Sequence, residues 1–332
     1  MTQPDDSPLV TLDEIRAAAE RLRGRVVRTP LLPFRGGHFL KPESLQPTGS
    51  FKIRGASNAL SQLSDAERGR GVVTHSSGNH AQALARAGRL LGVRVVVVMP
   101  DNAPQVKVDG VRADGAEIIF VGPHNEERVA LAHEIADRDG MILIPSANHR
   151  DVIAGQGTIG LEIVEQLRDV GVNEHFSVLV PIGLGGLAAG VATAVRSLAP
   201  GAAVWGVEPA LAADTRDSLA AGQLTPWPSD QTSRTIADGL RGEAPAPIPF
   251  AHLIGGQLDG VITVSEEEIV EALATAASEA RLVLEPSGAA TLAALLFHAG
   301  VMAAEGHVVA VLSGGNVDSA RFVEWLAQRR DS

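Results

Sequence analysis

Short apolar runs alternate with helical stretches along most of the chain, and this alternation limits the fold more than any other feature. Val95–Met99, Ser177–Ile182 and His307–Leu312 are nearly unbroken series of β-branched and aliphatic residues. Glu117–Val121, Met141–Ile144, Val204–Val207, Gly260–Val264 and the stretch around Val72 repeat the pattern. A strand that is apolar on both sides must be covered on both faces, and a helix between successive strands lays them parallel. The predicted class is therefore α/β, with parallel twisted sheets flanked by helices. Thr11-Leu-Asp-Glu14 is a capping box that opens an amphipathic helix through Leu22.

Several runs empty into small and polar residues. Val178-Leu-Val-Pro-Ile-Gly-Leu-Gly-Gly-Leu-Ala-Ala-Gly190 reads as a strand entering a glycine-rich turn and a small-residue helix. Glycines there let the backbone approach a phosphate closely. His75-Ser-Ser-Gly-Asn-His80 lies between a strand and a helix, so its N–H groups and hydroxyls face any anion above the helix N-terminus. Val308-Val-Ala-Val-Leu-Ser-Gly-Gly-Asn316 is a third strand of this kind. Lys52 follows the turn-forming cluster Pro47-Thr-Gly-Ser50 and precedes a helical run with Ala59, Leu60 and Leu63. An amine on a first helical turn feels the positive end of the dipole, which favours its neutral form. Neutral lysine amines make Schiff bases with carbonyl compounds.

Together, in this order, the segments resemble the serine/threonine dehydratase and serine racemase family. These are pyridoxal phosphate (PLP) enzymes of fold type II, the tryptophan-synthase-β-like group. The likeness runs from about Thr29 to the C-terminus. It covers Lys41–Gly55, Ser76–His80, Val152-Ile-Ala-Gly-Gln-Gly-Thr-Ile-Gly160, Gly183–Leu187, Thr235-Ile-Ala-Asp-Gly239, Glu285-Pro-Ser-Gly288 and Leu312–Asn316. It implies a two-domain fold: a large PLP-binding domain from residues 1–70 and 147–332, and a small mobile domain from residues 71–146. It also implies that Lys52 carries the cofactor, Asn79 binds its phenolic oxygen, Phe51 packs on its ring and Ser313 faces its pyridine nitrogen. Gly183, Gly185, Gly186 and Leu187 would hold the phosphate, with Gly239 beside the cofactor. Ser76, Ser77, Asn79 and His80 would line the pocket for the substrate carboxylate. Ser77 also stands where the racemases keep a second catalytic base. A homodimer is the implied assembly.

A hydroxyl at the ring nitrogen leaves the pyridine neutral and a weaker electron sink than a carboxylate would. Negative charge at Cα is then better discharged by expelling a β-substituent than by lingering on the ring. The expected reaction is loss of water from L-threonine or L-serine, with Lys52 as base for the Cα proton, giving a 2-oxo acid and ammonium. Serine racemisation and dehydration of 3-hydroxyaspartate are alternatives within the same family. His149, Arg150 and Arg241 lie near the implied pocket in sequence and would suit a second carboxylate. Lys52-Ile53-Arg54 departs from the Lys-Asp-Arg of cysteine-synthase-like enzymes, and the absence of Tyr and Cys excludes phenol and thiol catalysis. Leu184 replaces a glycine common in relatives, which leaves its N–H in place provided φ there is negative.

A reading from another class competes. Gly183-Leu-Gly-Gly-Leu-Ala188 matches the dinucleotide fingerprint, and Glu208 closes the next strand where a ribose-binding acid would stand in an NAD-dependent oxidoreductase. It leaves the Lys52, Asn79 and Ser313 segments unexplained. Glu208 has a second reading as well. In the racemase branch of the resembled family a Glu, a carbonyl four residues on and an Asp two further hold a divalent cation; here these are Glu208, Ala212 and Asp214. Such oxygen ligands suit Mg²⁺ or Ca²⁺.

A formal net charge of −11 argues against nucleic acid or an anionic membrane as partner. Met1-Thr-Gln-Pro-Asp-Asp has neither the basic region nor the apolar core of a signal peptide, so a cytoplasmic enzyme is expected. Pro286–Ala304, a long uncharged stretch, is broken by Gly and polar residues and reads as a buried helix rather than a membrane span. With only a short stretch after Asn316, no regulatory domain of the kind found in biosynthetic threonine dehydratases is expected.

Overall fold

The apolar runs become strands of two sheets in a computed structural model that describes residues 9–76, 78–103, 105–122, 125–302 and 306–327. In chain order the elements begin with α1 (Leu12–Leu22), β1 (Leu32–Phe34), β2 (His38–Pro42), α2 (Lys52–Ser61), α3 (Asp65–Arg70), β3 (Val72–Thr74) and α4 (Asn79–Leu91). Next come β4 (Val95–Pro100), α5 (Gln105–Ala113), β5 (Glu117–Val121), α6 (Asn125–Asp139), β6 (Ile142–Leu143) and α7 (Arg150–Asp169). There follow β7 (Phe176–Pro181), α8 (Gly186–Leu198), β8 (Ala203–Pro209), α9 (Asp214–Ala221), α10 (Ser229–Thr232) and α11 (Pro247–His252). The chain continues through β9 (Gly260–Val264), α12 (Glu266–Thr275), α13 (Pro286–Phe297), β10 (His307–Leu312) and α14 (Ser319–Ala327).

One sheet has the order β1-β2-β10-β7-β8-β9 and the other β5-β4-β3-β6. All pairings are parallel except the β1–β2 hairpin. Each predicted strand is present. β1 and β2 were not predicted as strands: they are short, and their turn relies on Gly36 and Gly37, whose φ values are +71° and +78°.

Alternate residues of each buried strand serve opposite faces, as the two-residue period requires. Val178, Val180, Val309 and Val311 pack against α7 and α8, where Ile153, Ile163, Val191 and Val195 meet them. Leu179, Ala310 and Leu312 face Ile269 and Leu273 of α12 and Leu292 of α13. In the smaller sheet Val95, Val97 and Met99 face Leu84 of α4, Val108 of α5 and Ile53 of α2. Val96 and Val98 face Ala132 and Ile135 of α6. Among the described residues no helix is long and apolar enough to cross a membrane.

The strand order decides where the loops meet. β10, the last strand, lies between β2 and β7, with Val309 level with both Phe39 and Val178. The carboxyl ends of three neighbouring parallel strands thus release the loops leading to Lys52, Ser313 and Gly183 on one edge of the sheet. That edge is where α/β sheets bind ligands.

Helix α2, which begins at Lys52, is seated by backbone contact. A Cβ on Gly155 of α7 would lie 2.7 Å from the Arg54 carbonyl oxygen and 2.7 Å from the Gly55 Cα. One layer on, a Cβ on Gly190 of α8 would lie 2.4 Å from the Ile153 carbonyl oxygen. The glycines of Val152–Gly160 are therefore crossing points for three helices. Gly155→Ala should push α2 off α7 and destabilise the fold by about 1–3 kcal/mol, as overpacking does. Urea unfolding with an unchanged midpoint would refute this account of the crossing.

Candidate active site

Lys52 is the first residue of α2, as the turn before it predicts. Its loop is stitched to the loop after β10. Phe51 N–H donates to the Ser313 carbonyl at 3.0 Å and Gly315 N–H to the Gly49 carbonyl at 2.8 Å. The Asn316 carboxamide donates to the Thr48 carbonyl at 2.8 Å. Gly49 needs its φ of +68° here, and a Cβ on it would strike the Asn316 side chain. The Lys52 amine donates to the Ser146 carbonyl at 3.1 Å and stands 4.9 Å from the centre of the Phe51 ring. The lysine keeps some surface exposure, but its amine is enclosed by protein. That burial pushes its pKa down to about 8 against the opposing pull of Glu285.

Asn79 is the first residue of α4. Its Nδ2 donates to Glu285 Oε1 at 2.7 Å, and its Oδ1 accepts from Asn316 Nδ2 at 2.9 Å. An amide nitrogen carries two hydrogens, so one remains for a ligand. Glu285 is buried, and burial followed by the charge of Asp238 pushes it up to about 8. Ser313 is buried just beyond β10, its hydroxyl 3.3 Å from the Ser287 carbonyl.

The glycine turn before α8 is equally constrained. Gly185 has φ +88°, and a Cβ there would lie 2.9 Å from Pro249. A Cβ on Gly183 would lie 2.9 Å from the Gly239 carbonyl, and Gly239 N–H donates to the Ser287 hydroxyl at 2.8 Å. The N–H groups of Gly186 and Leu187 begin α8, whose first helical bond runs from Ala189 N–H to the Gly185 carbonyl. They are orphan donors of a helix N-terminus, suited to an anion. Leu184 is exposed and is not among the positive-φ residues, so its side chain leaves this cradle unaltered.

A buried amine of lowered pKa, a serine hydroxyl and a glycine-lined helix N-terminus converge from neighbouring strand ends, and this donor set fits a phosphate-bearing aldehyde. Residues 22–314 match the pyridoxal-phosphate dependent enzyme family. The chain belongs to that family. A serine racemase of Schizosaccharomyces pombe is 36% identical over 98% of this chain and 99% of its own. A catabolic L-threonine dehydratase of Escherichia coli is 39% identical over 94% of each chain. The structure of maize serine racemase superposes with a TM-score of 0.89 at 35% identity, covering 97% of this chain and 98% of that one. Pyridoxal phosphate is the cofactor and the fold is fold type II.

Membership overturns the nicotinamide reading of Gly183–Ala188, and the geometry supplies a reason. Glu208 is buried and accepts backbone N–H groups of Thr215 and Arg216, both at 3.0 Å, so it caps α9 rather than facing a ribose. Glu208 and Asp214 do come together: burial, then Asp214, pushes Glu208 up to about 8. Burial also pushes Asp214 up to about 7, and its Oδ2 is buried without a hydrogen-bond partner.

His80 is buried, with Nε2 3.0 Å from the Ile144 carbonyl; burial and Lys52 push it down to about 3. It is a neutral donor to that carbonyl, not a cation. Ser76 Oγ accepts the Gly78 N–H at 3.4 Å, and Ser77 lies outside the described residues. The cationic pocket expected from His149, Arg150 and Arg241 does not assemble. Arg150 pairs with Glu14 at 2.5 Å, and Arg241 folds onto the Thr235 carbonyl at 2.7 Å. His149 caps α7 through the Asp151 N–H, with its pKa lowered by burial.

Glu285 and Asn316 fall within the motifs of the resemblance, but the sequence alone assigns them no role. The signal available was a Glu and an Asn in otherwise small, apolar strand-end segments, where a polar side chain must find a partner. Only a neutral amine attacks an aldehyde. Adduct formation between cofactor-stripped protein and pyridoxal phosphate should therefore rise with pH and level off above about 8, well below the range of an ordinary lysine. Visible absorbance titrated against pH tests this, and a plateau only above about 10 would show an unperturbed amine.

Proposed function

We propose that this enzyme removes water from a small β-hydroxy amino acid, L-threonine or L-serine first, releasing a 2-oxo acid and ammonium. The observation that carries the reading is the pairing of a hydroxyl, Ser313, with the depressed amine of Lys52 on adjoining strand ends. Pyridoxal phosphate, when bound, draws electron density from Cα of the amino acid attached to it. Ser313 has no charge to hold a proton on the ring nitrogen, which keeps that pull moderate and favours loss of the β-hydroxyl. Lys52 would bind the cofactor and act as the base for the Cα proton. Asn79 would bind the phenolic oxygen, Phe51 would flank the ring, and the N–H groups of Gly183, Gly185, Gly186 and Leu187 would hold the phosphate, beside Gly239.

The turn Ser76–His80 would take the substrate carboxylate on backbone N–H groups and hydroxyls, since His80 brings no positive charge. Residues 71–146 would move as a small domain over residues 1–70 and 147–332. Leu45 and Val283 leave apolar surface that a second copy would cover in a cytoplasmic homodimer. The serine racemase relatives favour a second activity, in which Ser77 would return a proton to the face opposite Lys52. Ser77→Ala should then lower racemisation far more than elimination.

The purified enzyme should show the visible band of a lysine-bound cofactor and give 2-oxo acid from threonine or serine in a panel that includes 3-hydroxyaspartate. Lys52→Ala should lose both while keeping its melting temperature within a few degrees, because one pocket amine adds little to the core. No 2-oxo acid from any hydroxy amino acid would sink the assignment.

Glu208, Asp214 and the Ala212 carbonyl would hold Mg²⁺ or Ca²⁺. Two buried carboxylates that burial drives toward protonation, Glu208 further raised by the charge of Asp214, and Asp214 with an orphaned oxygen, support this reading. A cation bound only by the folded state adds stability. Chelation should lower the melting temperature and activity together, Mg²⁺ should restore both, and Asp214→Asn should be insensitive to either. Indifference of the wild type to chelator would return both acids to a structural role.

A further inference from the structure

The cleft between the two sheets is crossed by an ion pair whose halves come from opposite sides. Lys107 lies on α5, beside the four-stranded sheet. Asp238 opens the 3₁₀ turn Asp238–Leu240, on the side of the six-stranded sheet. Lys107 Nζ and Asp238 Oδ2 are 2.5 Å apart, with side chains 26% and 38% exposed, so the pair is at the cleft's rim rather than in a core. Neighbouring ion pairs of the smaller sheet stay within it: Arg86 and Arg89 with Asp114, and Arg94 with Glu117.

Both ends rest on site loops. Lys107 Nζ lies 4.0 Å from where a Cβ on Gly78 would stand, so the amine sits on the turn that leads into Asn79. Asp238 adjoins Gly239, which bonds to Ser287 and whose carbonyl lies against Gly183 of the glycine turn. Asn79, next to Gly78, likewise bonds to Glu285 and Asn316 on the side of the six-stranded sheet.

We propose that Lys107 and Asp238 are positioning residues, a strap that holds the turn at Gly78 and Asn79 to the Asp238–Gly239 loop. The inference rests on the proposed role of that turn in binding the substrate carboxylate. A half-exposed ion pair is weak and reversible, which suits a strap that must open and close in each turnover. An apolar strap of the same reach would expose its faces to water whenever it opened.

The test uses the cofactor-loaded enzyme, with Lys107→Met, Asp238→Asn and the charge-swapped double variant Lys107→Asp/Asp238→Lys. Amide hydrogen exchange in residues 78–82 and 238–240 should quicken several-fold in each single variant. kcat/KM for the hydroxy amino acid should fall by about three- to tenfold, mostly through KM. The swap should bring both readouts back most of the way to wild type. Exchange unchanged in the single variants overturns the strap. So does a swap that stays at their level, because Lys107 would then act alone as a cation. Exchange can be read without turnover, so failure of the dehydratase reading appears as missing 2-oxo acid, while the strap is judged separately.

Discussion

A buried four-charge cluster fixes the helix that carries the reactive amine. Arg54, two residues after Lys52, clamps Glu43 through Nε and Nη2 at 2.7 and 2.8 Å, and donates from Nη1 to Glu162 at 2.7 Å. Glu162 in turn accepts from Lys41 at 2.6 Å. Two cations and two anions cancel. Burial works against the Arg54 charge, yet Glu43 and Glu162 more than offset it and hold its pKa above the ordinary value. Removing one member would leave an uncompensated buried charge, far costlier than losing a surface pair. The cluster ties α2 to the end of β2 through Glu43 and to α7 through Glu162, while the Gly155 crossing fixes the distance between the two helices. Lys52 thus has little freedom at its Cα, and its amine is aimed by the fold.

Strand order does the rest. Because the chain returns at its end to lay β10 between β2 and β7, the loops after an early, a middle and the last strand share one edge. The Ser50–Gly314 bridge and the bonds around it weld the first loop to the last, so Lys52 and Ser313 share one hydrogen-bonded unit. The glycine turn is fastened separately, to the Asp238–Gly239 loop and through it to Ser287 at the start of α13. The Asn79 carboxamide and the Lys107–Asp238 pair join elements of the smaller sheet's side to those of the larger.

Much of this was legible in the residues. The buried strands are nearly continuous apolar runs, and their turns contain glycines at positions where a Cβ would collide. Lys52 on a first helical turn followed from Pro47–Ser50. What escaped was non-local. β1 and β2 are too short and mixed to show a period, and β2 is a strand because β10 lies beside it. The Val152–Gly160 glycines looked like a motif, but their purpose, helix crossing, needs a partner helix to be visible. Two of the three expected cations were drawn away by partners the sequence does not advertise: Glu14, remote from Arg150, and the unremarkable Thr235 carbonyl beside Arg241.

The electrostatics of the finished pocket suggest why it has so little fixed charge. Lys52 and Glu285 both titrate near 8, one lowered and the other raised chiefly by burial, so each is readily neutral close to physiological pH. His80 is neutral far below that pH, and Ser313 has no charge to lose. The permanent charges of the reaction arrive with its ligands, as a phosphate and a carboxylate. In the proposed site they would meet N–H dipoles at the starts of α8 and α4, which cost no protonation change when the ligand binds. A fixed cation at either place would hold its anion more tightly, yet it would also push the Lys52 pKa down further and so weaken the base that Lys52 would supply.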